Sequence, residues 1–205
     1  MRVLIQRVAS AEVRVGGASV GAIGRGILAL VGVGAGDTAA DAEYVARKLL
    51  SLRIFEDDKG RPWSGSVATL GLGLLLVSQF TLHASCRKTK PSFQRALAGA
   101  EARPLFDQVV RLCRAEKGVG DVATGEFGAM MDVSLVNSGP VTLWLDSKNP
   151  HDAVWGSVGG GGNGGGGGGG SGDGGGDDDG DGGEGGAGGA ASAAGGAGAS
   201  RPQNE

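Results

Sequence analysis

The first 155 residues of this 205-residue chain predict an α+β domain, with helices packed on a largely antiparallel sheet. Strand-like apolar runs stand before, between and after two stretches of helical period. Tight hairpin signals such as Gly16-Gly17 join neighbouring strands. Composition also breaks sharply: Gly156 to Glu205 holds 26 of the 44 glycines and almost no large apolar residue. Such a segment cannot bury enough surface to offset backbone entropy, so a disordered tail, residues 156–205, is expected to follow one domain, residues 1–155.

In chain order, Val3, Ile5 and Val8 alternate with Arg2, Gln6 and Arg7 as a first strand. Glu12 to Val15 and Ala18 to Ile23 follow around Gly16-Gly17. Ile27 to Val33 is nearly all apolar, as a strand covered on both faces would be. Asp37 or Thr38 can cap a helix through about Leu52, with Ala42, Val45, Ala46, Leu49 and Leu50 on one face. A charged loop, Phe55 to Gly65, precedes a continuous apolar run from Leu70 to Leu82. Pro91-Ser92 opens a predicted short helix from Phe93 to Leu97. Glu101 to Lys117 reads as a longer helix, with Leu105, Val109 and Leu112 inward and glycines at its end. Val122 to Thr124, Phe127 to Val136 and Val141 to Leu145 are the remaining strands. Between the last two stands Gly139-Pro140. Proline lacks a backbone donor and shifts its predecessor away from helix, so this pair is either a plain turn or part of a site that needs its shape.

Residues 1–155 carry 18 Lys and Arg against 15 Asp and Glu, whereas the remainder carries 1 against 7. The overall net charge of −3 therefore hides a mildly basic domain, which permits a polyanionic partner. Cys86 and Cys113 have no metal-ligand spacing and are expected to be reduced, idle thiols. No apolar run approaches the roughly 18 residues of a membrane span, so a soluble, cytoplasmic protein is expected.

The chemistry-bearing residues are few. Ser78 and Thr81 are candidate nucleophiles, but a hydroxyl needs an adjacent base, and the chain has only His83 and His151. Strand alternation would set Gln79, Thr81 and His83 on one face, so a Thr81-His83 dyad stays open beside the plainer reading of His83 as a surface or phosphate-facing residue. Arg87-Lys88-Thr89-Lys90 is either a solvated loop or a set of phosphate contacts. Gly24 to Gly26 and Gly32 to Gly36 read as turns, since neither carries the Lys-Ser/Thr ending of a phosphate loop.

Ser78-Gln79-Phe80-Thr81-Leu82, followed some sixty residues later by Asn137-Ser138-Gly139-Pro140-Val141-Thr142, resembles the paired signature of the D-aminoacyl-tRNA deacylases. Gln6-Arg7-Val8, Leu52 to Glu56, Pro91-Ser92-Phe93 and Phe127 to Met131 extend the similarity over nearly all of residues 1–148. The resemblance implies a barrel-like sheet with packed helices and a homodimer with active sites at the subunit interface. It implies an ester hydrolase acting on D-aminoacyl-tRNA, and on glycine misattached to tRNA-Ala, as a proofreading step in translation. No cofactor and no metal is expected.

By the same resemblance, Gly139 and Pro140 form a chiral filter: a cis bond whose carbonyls project into the other subunit's site and occupy the space of an L side chain. Backbone N–H groups of Gln79, Phe80 and Thr81, next to Ser78, would hold the substrate carbonyl as charge develops. Arg7 would fix the Gly-Pro loop beside Asn137, and Met130 or Met131 would line the pocket floor. Arg87, Lys88 and Lys90 are the candidate tRNA contacts. Hydrolysis would use the terminal ribose hydroxyl of the tRNA, with Thr81 positioning rather than attacking. Ser138, where an acidic or other polar residue is common, and the long tail depart from the pattern. Two other readings are a relaxed-chirality deacylase of L-alanyl-tRNA, which goes with a trans Gly-Pro bond, and a non-catalytic module binding tRNA acceptor ends. Trp144 and the last strand are candidate interface material.

Overall fold

The computed structural model describes residues 1–149. Strand β1 (Arg2–Val15) is the spine. It is one continuous element where the sequence suggested two, because Val3, Ile5, Val8, Ala11 and Val13 all find apolar cover. Its first half pairs antiparallel with β3 (Gly26–Gly32), and its second half with β2 (Ala18–Ile23) through the expected Gly16-Gly17 turn. Both turn glycines have positive φ, +56° and +84°, which side chains resist. β4 (Gly73–Ser78) and β5 (Val122–Thr124) then join parallel to β3. The sheet is thus mixed, and it nearly closes: Gly21 of β2 lies so near the Thr124 carbonyl of β5 that a Cβ there would collide with it.

Helix α1 (Ala39–Ser51) begins at Thr38, whose N–H and hydroxyl both donate to the Asp41 carboxylate, at 2.8 and 3.0 Å. A single turn, α2 (Val67–Leu70), precedes β4, and α3 (Gly99–Ala115) lies against α1. The face α3 buries is Ala102, Phe106, Val109, Val110 and Cys113, so Leu105 and Leu112 sit at its margin and not at its centre. The expected helix from Phe93 to Leu97 does not form. That segment is a turn tied to the end of β3 by a bridge between Ala96 and Gly34, by Leu97 N–H donating to the Val33 carbonyl at 3.0 Å and by Ala35 N–H donating to the Arg95 carbonyl at 2.9 Å. Tertiary bonds to a strand end outcompete a helix too short to nucleate itself.

Period-two alternation along β3 and β4 divides the core. Ile27, Ala29, Val31, Leu74 and Leu76 meet the helices, whereas Leu28, Leu75 and Val77 face the barrel interior with Val8, Ala11, Val13 and Ile23. Each such fully buried aliphatic side chain contributes about 1.5–3 kcal/mol. Both faces of β3 are buried, as its unbroken apolar sequence predicts.

The last strand, β6 (Asp132–Asp146), runs antiparallel to β1 and passes through Gly139-Pro140 instead of turning there. The pair is accommodated by a bulge. Gln6 opposes Thr142 and Val8 opposes Asn137, so residues 138 to 141 all lie opposite Arg7 alone. A proline inside a strand is tolerated only where the ladder is interrupted in this way. The far end of β6 is pinned near the chain start: the Met1 ammonium donates to Asp37 and to Ser147 at 2.6 Å each, and Lys148 Nζ donates to Asp41 at 2.8 Å. The expected tail, residues 156–205, and His151 lie outside the described residues.

Candidate active site

A cleft of about 690 Å³ opens where the parallel strands β3 and β4 end. Val31, Val33 and Val77 form its base, Ser78 to Thr81 one wall, Phe93 to Gly99 a second, and Phe127 to Met131 with Val133 a third. The ends of parallel strands leave backbone groups unpaired, which is why clefts collect there. A second groove, about 500 Å³ between α1, α2 and α3, contains none of the candidate site residues.

The strand alternation expected through Ser78 to His83 is broken. β4 stops at Ser78, and Phe80–His83 forms a 3-10 turn. The change of period brings Ser78, Gln79, Phe80 and Thr81 all to the cleft. The Gln79 N–H is already spent on the Val31 carbonyl at 2.8 Å, so it is not available to a substrate as expected. Phe80 and Thr81 open the turn, where N–H groups have no acceptor within the helix. The Gln79 side-chain amide donates to the Thr81 hydroxyl oxygen, fixing that rotor.

His83 is not a partner of Thr81. It is 7 % exposed, and its Nε2 contacts the Gly32 carbonyl at 3.2 Å on the side away from the cleft. Burial, offset in part by that contact, lowers its pKa below 6.5, with the Arg2 and Met1 charges adding to the effect and Asp37 opposing it. Both the dyad and the surface reading of His83 are thereby corrected. Among the described residues no other histidine exists to serve as base. Cys86 is exposed, and Cys113 is buried, its thiol pushed up to about 12 by desolvation.

Gly139 and Pro140 are exposed and joined by a cis peptide bond, and neither lines the cleft of its own chain. Arg7 grips the bulge. Its Nε donates to the Ser138 carbonyl at 2.9 Å and an Nη donates to the Ile54 carbonyl at 2.6 Å, using the forked geometry only arginine has. Asn137 spans the bulge from within: Val141 N–H donates to its Oδ1 at 2.8 Å, and its Nδ2 donates to Thr142 Oγ1 at 2.9 Å. Sequence reasoning passed over Trp63, whose ring lies 5.9 Å from the Arg7 guanidinium at a backbone φ of +55°. A bulky residue with positive φ leaves no mark in the sequence.

Met131 packs toward the barrel interior while Met130 is 92 % exposed at the cleft rim, near the edge-on pair Phe80 and Phe93 with centroids 5.0 Å apart. Leu135 and Val136 on β6 are exposed as well. Trp144 is half-buried, with Arg2 over its ring at 5.8 Å. Arg87, Lys88 and Lys90 project from an exposed bend closed by a Ser85 to Ser92 bridge.

The sequence matches the family model described as D-Tyr-tRNA(Tyr) deacylase over residues 4–146. A protein named D-aminoacyl-tRNA deacylase from Clostridium acetobutylicum is 48% identical over 149 residues, 72% of this chain and 98% of that one. Its namesake from Thermomicrobium roseum is 54% identical over 148 residues, 72% and 94% of the two chains. Among solved structures, one described as "c-Myc DNA Unwinding Element Binding Protein" superposes with a TM-score of 0.68 at 39% identity, covering 71% of this chain and 98% of that chain. Another, described as a probable eukaryotic D-amino acid tRNA deacylase, has a TM-score of 0.59 at 18% identity over 70% and 97%, a likeness of fold alone. With the paired Ser78-to-Thr81 and Asn137-to-Thr142 segments in place on this framework, the chain belongs to the D-Tyr-tRNA(Tyr) deacylase family.

Proposed function

We propose that the protein is a D-aminoacyl-tRNA deacylase, an ester hydrolase that frees a D-amino acid from the tRNA 3′ end, also removes glycine from tRNA-Ala, and proofreads chirality in the cytoplasm. One observation carries this reading. In a chain of this family, the Ser78-to-Thr81 cleft and the Gly139-Pro140 bulge are each built and braced, yet the bulge does not line the cleft of its own chain. A homodimer resolves the separation, with Gly139 and Pro140 of one copy reaching the cleft of the other. The exposed Leu135, Val136 and Met130 would then be covered.

In this mechanism the Phe80 and Thr81 N–H groups hold the ester carbonyl as it gains negative charge. Thr81, oriented by Gln79, positions the substrate, and the terminal ribose hydroxyl of the tRNA assists the attack. The scarcity of bases around the cleft supports a role for substrate in its own hydrolysis. The two carbonyls of Gly139 and Pro140 occupy the space an L side chain requires, so any D side chain is accepted. Arg87, Lys88 and Lys90 contact tRNA phosphates. The segment after residue 155 is a passive extension, and removing residues 159–205 leaves turnover unchanged.

The test is ester loss from matched D- and L-aminoacyl-tRNAs. Rapid loss of the D ester with L at background is expected. Equal background rates for both overturn the enzyme reading, and selective loss of L-alanine replaces it with a relaxed-chirality deacylase. A second reading, nucleic-acid binding without turnover, draws on the similar structure described as a DNA unwinding element binding protein and on the exposed basic bend. It predicts salt-sensitive binding and no ester loss.

A further inference from the structure

We propose that His83 is a positioning residue for the Phe80-Thr81 wall, held in a slot that Gly32 and Gly34 leave open at the end of β3. The inference rests on the deacylase reading for its catalytic consequence, but the clamp itself stands on geometry. A Cβ at Gly34 would lie 2.5 Å from His83 Cε1 and 2.9 Å from Nδ1, and one at Gly32 would lie 3.2 Å from Cδ2. The imidazole fills the volume that a side chain at Gly34 would take, and at Gly32 it adjoins the Gln79 carbonyl and Leu82 Cβ, which a Cβ there would meet first at 2.8 and 3.0 Å. Its Nε2–H donates to the Gly32 carbonyl at 3.2 Å, which fixes the tautomer.

The 3-10 turn is thereby tied at both ends to one strand. At its entry, Gln79 N–H donates to Val31 at 2.8 Å; at its exit, His83 holds Gly32. Arg2 adds a third tie, an Nη donating to the Leu82 carbonyl at 3.0 Å while its Nε pairs with Asp146 at 3.1 Å. Between these ties stand Phe80 and Thr81, the two residues whose backbone must meet a developing charge. A 3-10 turn of four residues has too few internal bonds to hold its own place. Because a displaced oxyanion donor loses more in the transition state than in the ground state, loosening the exit tie should lower kcat more than it raises KM.

Protonation tests the same clamp. The charges around the ring are Arg2 from β1, the Met1 ammonium, Asp37 before α1, Arg95 from the following turn, and Asp146 and Lys148 at the end of β6. An imidazolium in that setting faces burial and at least two nearby cations, so the neutral ring is the one that fits. Below pH 6.5 the clamp is progressively opposed, and above it the clamp is at full strength.

The experiment compares wild type, His83→Ala and His83→Gln as full chains, by steady-state kinetics on D-aminoacyl-tRNA and by amide hydrogen exchange. His83→Ala is expected to lose about tenfold or more in kcat with little change in KM, and the bonded amides of the turn, Gln79, Leu82 and Ala84, to exchange faster. His83→Gln, which can still donate to Gly32, should recover much of the loss. The ratio of wild-type to Gln-variant kcat should stay flat down through pH 6.5 and fall only at lower pH, because the ring's pKa in the folded protein is lowered. A kcat for His83→Ala within about twofold of wild type overturns the proposal, as do unchanged exchange at Gln79, Leu82 and Ala84 or a Gln variant no better than Ala. If wild type shows no turnover, the deacylase reading fails, and the exchange rates alone decide the clamp. If His83→Ala does not fold, the Gln variant's pH ratio and exchange decide it.

Discussion

Adding a single methyl group at Gly139 tests how the bulge is held. Gly139 has φ +119°, a region that residues with a Cβ rarely adopt, and an alanine there costs about 1–3 kcal/mol in backbone strain. The new Cβ would also collide with an Nη of Arg7 and lie 3.1 Å from Val141 Cγ2. Arg7 must then withdraw, which breaks its bond to the Ser138 carbonyl, now 2.9 Å, and a hydrogen bond from a charged donor is worth about 1.5–3 kcal/mol. Gly139→Ala should therefore destabilise by about 2.5–6 kcal/mol in urea unfolding, the strain and the loss of that bond together. A double-mutant cycle with Arg7→Ala separates the two causes. Strain is indifferent to Arg7, whereas the collision vanishes with it, so a coupling of about 0.5–3 kcal/mol is expected. Additivity within about 0.3–0.5 kcal/mol would refute the collision, and a single-mutant loss below about 0.5 kcal/mol would refute the whole account. On the proposed function, Gly139→Ala also lowers the D-over-L rate ratio, which paired hydrolysis assays read directly.

Arg7→Lys keeps the charge but loses the fork, so it can serve the Ser138 or the Ile54 carbonyl but not both; a loss of about 1.5–3 kcal/mol and reduced D-over-L selectivity are expected from unfolding and paired kinetics. Replacing Arg87, Lys88 and Lys90 by alanine should weaken tRNA binding and flatten the plot of log affinity against log salt by about 0.7–0.9 per phosphate contact removed. An unchanged slope would assign that bend to solvent. For Asp41, burial pushes the carboxyl up, but bonds from Lys148, Ser147 and Thr38 outweigh it and hold the pKa well below 3.8. A group with a depressed folded pKa stabilises fully above its unfolded value, so wild-type stability should decline as pH falls below 3.8, while Asp41→Asn is less stable at neutral pH and flatter across that acid range.

What the sequence made legible follows from how local each signal is. Gly16-Gly17, the apolar β3 run and the Thr38 cap all act within a few residues of themselves, and each forms where expected. The Phe93-to-Leu97 helix fails because its fate is decided by Gly34 and Val33, some sixty residues away. The candidate site divides along the same line. Gly139-Pro140 announced itself as a pair that sheet pairing could not explain, and β6 carries it in a bulge. That the bulge would lie opposite Arg7, and that the arginine would hold it through a backbone carbonyl, depends on the β1-β6 register, which no local pattern encodes. His83 is the sharper case. As a lone histidine beside a basic bend it reads as surface, and strand alternation even aims it at Thr81. Gly34, far earlier in the chain, reverses both inferences, because the space it leaves receives the ring, and the Gly32 carbonyl meets Nε2. Absent side chains are therefore as informative here as present ones. At Gly34 and Gly139 the missing Cβ marks where another residue, His83 or Arg7, must pass to hold a wall of the site.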